Sequence, residues 1–196
     1  SLPPGPARRI RRYACTRFQQ LTSPAAAKAV EDTACYRSGA LLSRNDVGFD
    51  PQTFSAPVDT FHAECLERAE HFPRNLLTTA THDHKRGEDT RARLAVLSER
   101  GPWFASRVEH WRELAAPLRE QLDDGVAPSP GDELLLLQTL LGSWPLDLDL
   151  HDDNALQHYA GRIRQWQQKA LREAKLRSSW NAPNEAYEAA CAAYVD

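Results

Sequence analysis

The chain has 196 residues, with a hydrophobic fraction of 41% and a charged fraction of 26%, and this is the composition of an ordinary globular protein with a core of its own. Its net charge of −3 argues against a nucleic-acid partner, because nucleic-acid-binding proteins usually carry an excess of Lys and Arg. The sequence contains no apolar run of membrane-spanning length and no Cys-x-x-Cys motif among its four cysteines. We therefore expect a cytoplasmic protein with reduced thiols and no membrane partner.

The first half of the chain is predicted to contain two short strands, at residues 13–21 and 75–81. Between them, Ser23 and Pro24 are typical of a helix start, with serine as the N-cap and proline at the first helical position. Apolar residues recur at helical spacing over residues 60–70 and predict a second helix there.

The second half is predicted to be helical, because its apolar residues recur every three or four positions. Residues 123–131, which are rich in Pro and Gly, predict a linker between the second and third of these helices. Asp132 is a candidate N-cap, Asp152 or Asp153 would cap the longest helix, and Asn184 or Pro183 would start the last one. The predicted helices are residues 88–101, 102–122 with an interruption at Pro117, 133–141, 153–176 and 184–194.

Residues 81–93 (THDHKRGEDTRAR) form the densest group of ionisable side chains. His82 and Asp83 lie where a predicted strand ends and a helix follows, and in barrel enzymes this is where catalytic side chains are mounted. Two other interpretations remain open. His82 and His84 would bind zinc if a remote carboxylate joined them, or the acids would simply cap the following helix.

A second charged segment comes earlier, at residues 28–37. Lys28 lies three and four positions before Glu31 and Asp32, so these side chains share one face of a helix. Taken alone, this pattern favours an exposed ion pair that contributes a few tenths of a kcal/mol. The basic cluster at residues 8–12 is open to two interpretations, a polyanion contact or a solvated edge.

Together these segments resemble the maltooligosyltrehalose synthases, a family of the α-amylase superfamily (glycoside hydrolase family 13). Residues 81–93 are similar to the family's His-Asp motif, with His84, Gly87 and Thr90 where the family has Thr, Ser and Val. Other segments are similar in the same order along the chain. They are residues 18–22, 28–37, 42–48, 138–145, 172–175 and 179–180.

The resemblance implies a mainly α fold, a helical fragment with a few short strands from an incomplete (β/α)8 barrel. Residues 1–100 would be the later portion of the catalytic barrel, including the His-Asp motif, and residues 101–196 a helical region. In the family, the nucleophile and the acid/base lie on earlier strands. The chain alone is therefore expected to be inactive, to be less protected before about residue 74 than in its helical region, and to self-associate through the barrel surface that it exposes.

The resemblance also implies a reaction: conversion of the reducing-end α-1,4 linkage of a maltooligosaccharide to an α,α-1,1 linkage, without a metal or redox cofactor. Asp83 would be the catalytic carboxylate that grips hydroxyls of the reacting sugar. The substrate-binding residues would be His82, Lys85, Arg86, Lys28, Glu31, Asp32 and Tyr36. The alternatives are another α-glucan transferase or hydrolase of the superfamily, or a non-catalytic glucan-binding helical module.

Overall fold

A computed structural model describes residues 4–80 and 84–196, and within these ranges the fold is mainly α-helical, as predicted. Single helical turns at Ala27–Glu31, Ala34–Tyr36, Leu42–Arg44, Val96–Glu99 and Ala116–Leu118 connect the longer elements. The longer elements are α1 (Pro6–Ala26), α2 (Val58–His71), α3 (Glu88–Ala95), α4 (Gly101–Leu114), β1 (Glu120–Leu122), β2 (Gly125–Ala127), α5 (Pro130–Ser143), α6 (Asp153–Ala174) and α7 (Glu185–Ala193).

Both predicted strands are wrong where the structure describes them. Residues 13–21 lie in the middle of α1. The apolar residues Phe18 and Leu21 are three positions apart, which places them on one face of a helix but on opposite faces of a strand. Residues 75–80 form a loop that pairs with no strand among the described residues, and Leu76 is 97% exposed. The predicted helix start at Ser23 and Pro24 is also wrong, because both residues lie inside α1.

The one sheet within the described residues is the antiparallel hairpin β1–β2, which pairs Glu120 with Ala127 and Leu122 with Gly125. It occupies part of the predicted linker. Asp124 and Gly125 are a frequent turn pair, and Gly125 has a φ of 120°, a backbone conformation that glycine adopts without strain. The barrel part of the fold prediction is therefore not confirmed.

The predicted helices of the second half are confirmed except for the end of the 102–122 helix, which is wrong: α4 ends at Leu114, before Pro117, and residues 120–122 form β1. Two of the three predicted caps are found. Asp152 accepts hydrogen bonds from the backbone of Asn154 and Ala155, both at 3.0 Å. Asn184 accepts one from Tyr187 N–H at 3.1 Å. For α5 the cap is Ser129 rather than Asp132, because Pro130 begins the helix three positions earlier than expected.

Helix α6 is the element against which the other core segments pack. Its predicted stripe is buried at Tyr159, Ile163, Ala170 and Ala174, with Trp166 partly buried. The short turn that carries Cys35 and Tyr36 packs on Ala170 and Ala174. Leu42, Leu94 and Leu135 form a neighbouring cluster. Helices α1 and α2, by contrast, have no buried residue. Residues 27–46 are thus held against α6, and this positions the first charged segment.

In the part of the chain that the structure describes, no helix combines the length and the apolar character needed to cross a membrane.

Candidate functional site

Asp32 lies at the centre of a cluster that joins the two charged segments. Its Oδ2 accepts a hydrogen bond from Lys28 Nζ at 2.6 Å, and its Oδ1 accepts one from Lys85 Nζ at 2.8 Å. Lys85 Nζ also lies 5.9 Å from the centre of the Tyr36 ring. The interpretation of Lys28 and Asp32 as an isolated, exposed ion pair is therefore incomplete, because a lysine from a distant segment binds the same carboxylate.

The geometry of this cluster depends on the turn that follows α1. The last turn widens into a π-helical turn at Ala27–Glu31, in which Asp32 N–H bonds to Ala27 C=O at 2.9 Å. Such turns are rare and often occur at functional sites. Here the wider turn ends α1 and lets the chain fold back toward α6, with Lys28 and Asp32 on the side that faces Lys85.

The protonation equilibria reflect this pairing. Hydrogen bonds from Lys28 and then Lys85 lower the pKa of Asp32. The hydrogen bond to Asp32 raises the pKa of Lys28. Burial disfavours the charge of Lys85, but the hydrogen bond to Asp32 and the neighbouring Tyr36 outweigh burial, so its pKa is raised. Asp32 and the two lysines are therefore all charged at neutral pH.

Arg86 lies beside this cluster and is largely shielded from solvent. Its guanidinium carbon is 5.9 Å from the centre of the Trp166 ring, and burial lowers its pKa. Its Nε has no hydrogen-bond partner among the described residues. Lys85 and Arg86 open into a cleft of about 210 Å³, whose walls include Ser143, Tyr159 and Trp166. The cleft offers hydroxyl groups and cations to a ligand.

Helix α6 fixes the first charged segment by polar contacts as well as by packing. Arg37 Nε donates to the backbone oxygen of Ala174 at 2.6 Å. Lys175 Nζ donates to Thr33 Oγ1 at 2.9 Å, and Lys175 itself ends the helix in the left-handed conformation. Two segments that carry the family resemblance, residues 28–37 and 172–175, are thus neighbours in space.

His84 occupies a different environment from Lys85 and Arg86. Its Nδ1 lies 2.5 Å from Asp46 Oδ1, and its Nε2 lies 2.7 Å from the backbone oxygen of Thr79. Because both ring nitrogens already have oxygen partners, this geometry gives no support to a zinc site at His84. Among residues 4–80 and 84–196, no three His, Cys, Asp or Glu side chains converge on one point.

Of the predicted site residues, Lys28, Asp32, Tyr36, Lys85 and Arg86 come together in the structure. Glu31 is partly buried on the same turn and makes no ion pair within the described residues. The predicted residues His82 and Asp83 lie outside the described residues.

The sequence did not indicate two further members of the site. Trp166 was predicted only as part of a buried stripe and Lys175 only as an exposed basic residue. The signal for Lys175 was its place in a matching segment, residues 172–175. For Trp166 the sequence carried no signal of a place in the site beyond its helical spacing.

Comparison with known proteins gives consistent results, although no family model matches the chain. Over 172 residues, which are 88% of the chain, it is 38% identical to a putative maltooligosyl trehalose synthase of Mycobacterium tuberculosis, in strains CDC 1551 and H37Rv. A crystal structure of a maltooligosyl trehalose synthase aligns with 93% of the chain at a TM-score of 0.78 and 32% identity. A hypothetical maltooligosyl trehalose synthase of Sulfolobus tokodaii aligns over 93% at a TM-score of 0.77 and 30% identity.

Over most of its length, this chain matches a segment of the maltooligosyl trehalose synthases. It spans 20% of the length of the curated relatives and 23% of the two solved structures. The resemblance that the sequence motifs predicted is thus confirmed. The agreement extends to the fold, because the two solved structures align with TM-scores of 0.77 and 0.78 and are also at least 30% identical in sequence.

Proposed function

We propose that the chain is part of an enzyme that isomerises maltooligosaccharides by intramolecular transglucosylation. The enzyme would cleave the α-1,4 linkage at the reducing end and rejoin the released glucose through an α,α-1,1 linkage, without net gain or loss of atoms. The observation that carries the proposal is the meeting of the Lys28–Tyr36 and Lys85–Arg86 segments around Asp32. Both segments belong to the part of the chain that matches the synthases.

The cluster around Asp32 has the groups that a sugar-binding site needs. Lys28 and Lys85 each have further N–H donors beyond those bound to Asp32, and a carboxylate accepts several hydrogen bonds. Charge-assisted hydrogen bonds of this kind are stronger than neutral ones and fix the orientation of a hydroxyl group. We assign Lys28, Glu31, Asp32, Tyr36, Lys85 and Arg86 to the binding of sugar hydroxyls.

His82 and Asp83 lie three and two positions before Lys85 in the sequence, and we assign them roles by their likeness to the family motif. Asp83 would grip hydroxyls of the reacting ring, and His82 would bind a neighbouring hydroxyl. As the ring distorts toward an oxocarbenium-like transition state, these contacts would tighten, so the carboxylate stabilises the transition state more than the ground state.

The proposal applies to the protein that contains this segment, because the chain spans only a fifth of its curated relatives. The division into a barrel portion, residues 1–100, and a helical region, residues 101–196, remains a prediction. So does the expectation that the 196 residues alone are inactive.

The test is to incubate the purified full-length protein with maltohexaose and to follow both reducing ends and anomeric proton signals. We expect reducing ends to disappear while an α,α-1,1 anomeric signal grows and the total number of glucose units stays constant. Free glucose or altered chain lengths without a non-reducing product would instead indicate a hydrolase or a chain-transferring enzyme, and would contradict the proposal.

A further inference from the structure

A second polar groove lies between α6 and α7. It has a volume of about 430 Å³, and its walls include Gln167, Gln168, Arg172, Glu185 and Glu188. It shares no wall residue with the cleft beside Lys85 and Arg86. The cluster around Asp32 therefore does not account for this groove.

The groove is organised around the carboxylate of Glu188. Arg172 donates to it twice, from Nε at 2.8 Å and from Nη2 at 2.7 Å, and Gln168 Nε2 donates at 3.1 Å. The Ser178 hydroxyl donates a further hydrogen bond to the same carboxylate. Pairing with Arg172 lowers the pKa of Glu188 to about 2. These planar groups are thus held rigidly before any ligand arrives.

Gln167 supplies an unsatisfied group in the wall of the groove. Its side chain is only 3% exposed, yet its Nε2 has no hydrogen-bond partner among the described residues. A buried amide without a partner costs free energy, because its hydrogen bonds to water are lost and not replaced. A ligand hydroxyl that reached this amide after a small rotation of the side chain would recover part of that cost.

An exposed indole, Trp180, lies next to Arg172, one of the wall residues of the groove. It is 52% exposed, and the guanidinium of Arg172 lies 5.0 Å from its ring centre. The loop that presents it is anchored at both ends. Ser178 binds Glu188 and accepts a hydrogen bond from Asn184 N–H at 3.1 Å, and Ser179 N–H bonds to Ala182 C=O at 3.2 Å. The backbone that carries Trp180 is therefore held in place by hydrogen bonds on both sides of it.

The chemistry of this surface favours an uncharged polyol. Its charged wall residues are two arginines, Arg164 and Arg172, and two glutamates, Glu185 and Glu188, so their formal charges cancel. Amide, guanidinium and carboxylate groups present paired donors and acceptors, which match the adjacent hydroxyls of a sugar ring. An indole packs against the apolar C–H face of such a ring while the polar N–H edge of the indole remains in contact with water.

We propose that this groove and Trp180 bind an α-1,4-linked glucan chain at a site separate from the cluster around Asp32. The choice of glucan over other neutral sugars rests on the proposed function, which makes maltooligosaccharides the ligand at hand. A second protein site for the same substrate would hold a long glucan near the catalytic region and raise the effective concentration of the glucan there.

The test is a titration of the full-length protein, labelled with 5-fluorotryptophan, with maltoheptaose, followed by ¹⁹F NMR. The Trp180 resonance is assigned by its loss in Trp180→Phe. We expect it to shift saturably with maltoheptaose. Ala189→Arg places a long side chain in the groove from an exposed position of α7 and should weaken this Kd about tenfold or more. Ala186→Arg, also exposed on α7 but outside the groove wall, should leave it unchanged.

A Trp180 resonance that does not move with maltoheptaose overturns the proposal, as does an unchanged Kd in Ala189→Arg. A shift produced by inorganic phosphate instead of maltoheptaose would identify an anion site and overturn it as well. Calorimetry gives a second comparison: Trp180→Ala should weaken maltoheptaose binding and Trp103→Ala should not, and equal affinities in the two variants overturn the proposal. Trp103 is the matched control because it is 43% exposed and also lies beside an arginine, Arg100. Failure of the proposed isomerisation appears separately, as absence of the α,α-1,1 product while Trp180 still responds.

Discussion

The carboxylate of Asp32 depends on two lysines, and this makes the contribution of Lys85 measurable. Lys85→Gln removes one of the two ammonium groups, so we predict that the pKa of Asp32 rises while Lys28 still keeps it below that of a free aspartate. A ¹³C NMR titration of the Asp32 carboxyl carbon measures this change. Lys169→Gln, on the exposed face of α6, is the control and should have no effect. An unchanged Asp32 titration in Lys85→Gln would mean that the two residues do not pair in solution.

Asp83 is the residue on which the proposed chemistry depends most. Asp83→Asn keeps the shape of the side chain and removes its charge, and in the full-length protein we predict a loss of about 3 kcal/mol or more of transition-state stabilisation. The measurement is kcat/KM for formation of the α,α-1,1 product, with circular dichroism as the check on folding. Turnover close to that of the wild type in a folded variant would remove Asp83 from the proposed mechanism.

At the scale of single residues, the sequence predicted the members of the candidate site better than their arrangement. The spacing of Lys28 and Asp32 implied a shared helix face, and they do bond. Lys85 reaches Asp32 because of the path that the chain takes across α6. Helical periodicity carries no information about that path. For the same reason Trp166 was predicted as core and not as the neighbour of Arg86.

The crossing of α3 and α5 is among the closest helix contacts in the described chain, and two glycines allow it to be tested. A Cβ added at Gly142 would lie 2.7 Å from Thr90 Cγ2 and 3.0 Å from Leu94 Cγ. We predict that Gly142→Ala destabilises the fold by about 1–3 kcal/mol, because overpacking forces the helices apart. Urea denaturation measures this.

Gly161 in α6 is the matched control. An added Cβ there meets only the Arg164 side chain, at 3.7 Å. Gly161→Ala should therefore stabilise the protein by about 0.5–1 kcal/mol, because alanine loses less backbone entropy than glycine in a helix. Equal effects of the two substitutions would mean that α3 and α5 do not pack as described.

Two buried glutamates connect the helices and make stability depend on pH. Glu133, which is fully buried in α5, accepts hydrogen bonds from Arg112 at 2.8 Å, Arg119 at 2.7 Å and Tyr194 at 2.5 Å. Burial alone would raise its pKa, but the hydrogen bonds from Tyr194 and the two arginines outweigh burial and lower it. Glu188, between α6 and α7, has a pKa lowered to about 2.

Because these pKa values are lower in the folded state than in the unfolded chain, the stability they contribute is present above the ordinary glutamate value of 4.5 and is lost as the pH falls. We predict a plateau of unfolding free energy above about pH 5 and a decline from there toward pH 2. Thermal melts across this range measure it. Glu188→Gln should flatten the decline, and a wild-type profile that stays level down to pH 2 would contradict the pairing of both carboxylates.

At the scale of elements, local sequence signals located α2 and most helices of the second half, but they missed α1 and failed for the strands. Caps and helical periodicity act within a few residues, so Asp152 and Asn184 marked real helix starts. A strand requires a partner, and none pairs with residues 75–80 in the described chain. Asp124-Gly125 is a local signal for the turn of the β1–β2 hairpin. The polar, Pro-rich residues around it favoured the prediction of a linker instead.

At the scale of the whole molecule, the boundary of the core differs from the one the sequence predicted. The segment before about residue 74 was expected to be less protected than the helical region. Instead, Cys35, Tyr36 and Leu42 are buried in clusters with residues of α5 and α6, while α1 and α2 bury no side chain. The division between core and periphery therefore falls within this segment rather than at its end.

Helices α1 and α2 present large apolar side chains to solvent. Ile10 and Phe18 on α1 are 69% and 67% exposed, and Phe61 and Leu66 on α2 are 60% and 72% exposed. Exposed apolar area of this extent promotes association, because its burial between molecules is favourable by about 25 cal/mol per Å². We predict that the 196-residue chain, produced alone, dimerises through these two helices, and light scattering over a concentration series measures this.

Hydrogen exchange on the same material separates the two parts of that prediction. Amides of α5 and α6 should exchange slowly, because they belong to helices that bury side chains in the core. Amides of α1 and α2 should exchange quickly in the monomer and become slower only as the concentration rises and the dimer forms. Phe18→Ser with Leu66→Ser should abolish that concentration dependence while leaving α5 and α6 protected. Slow exchange of α1 and α2 in a strict monomer would mean that these helices are covered by the chain's own residues, contrary to the exposure of every side chain on α1.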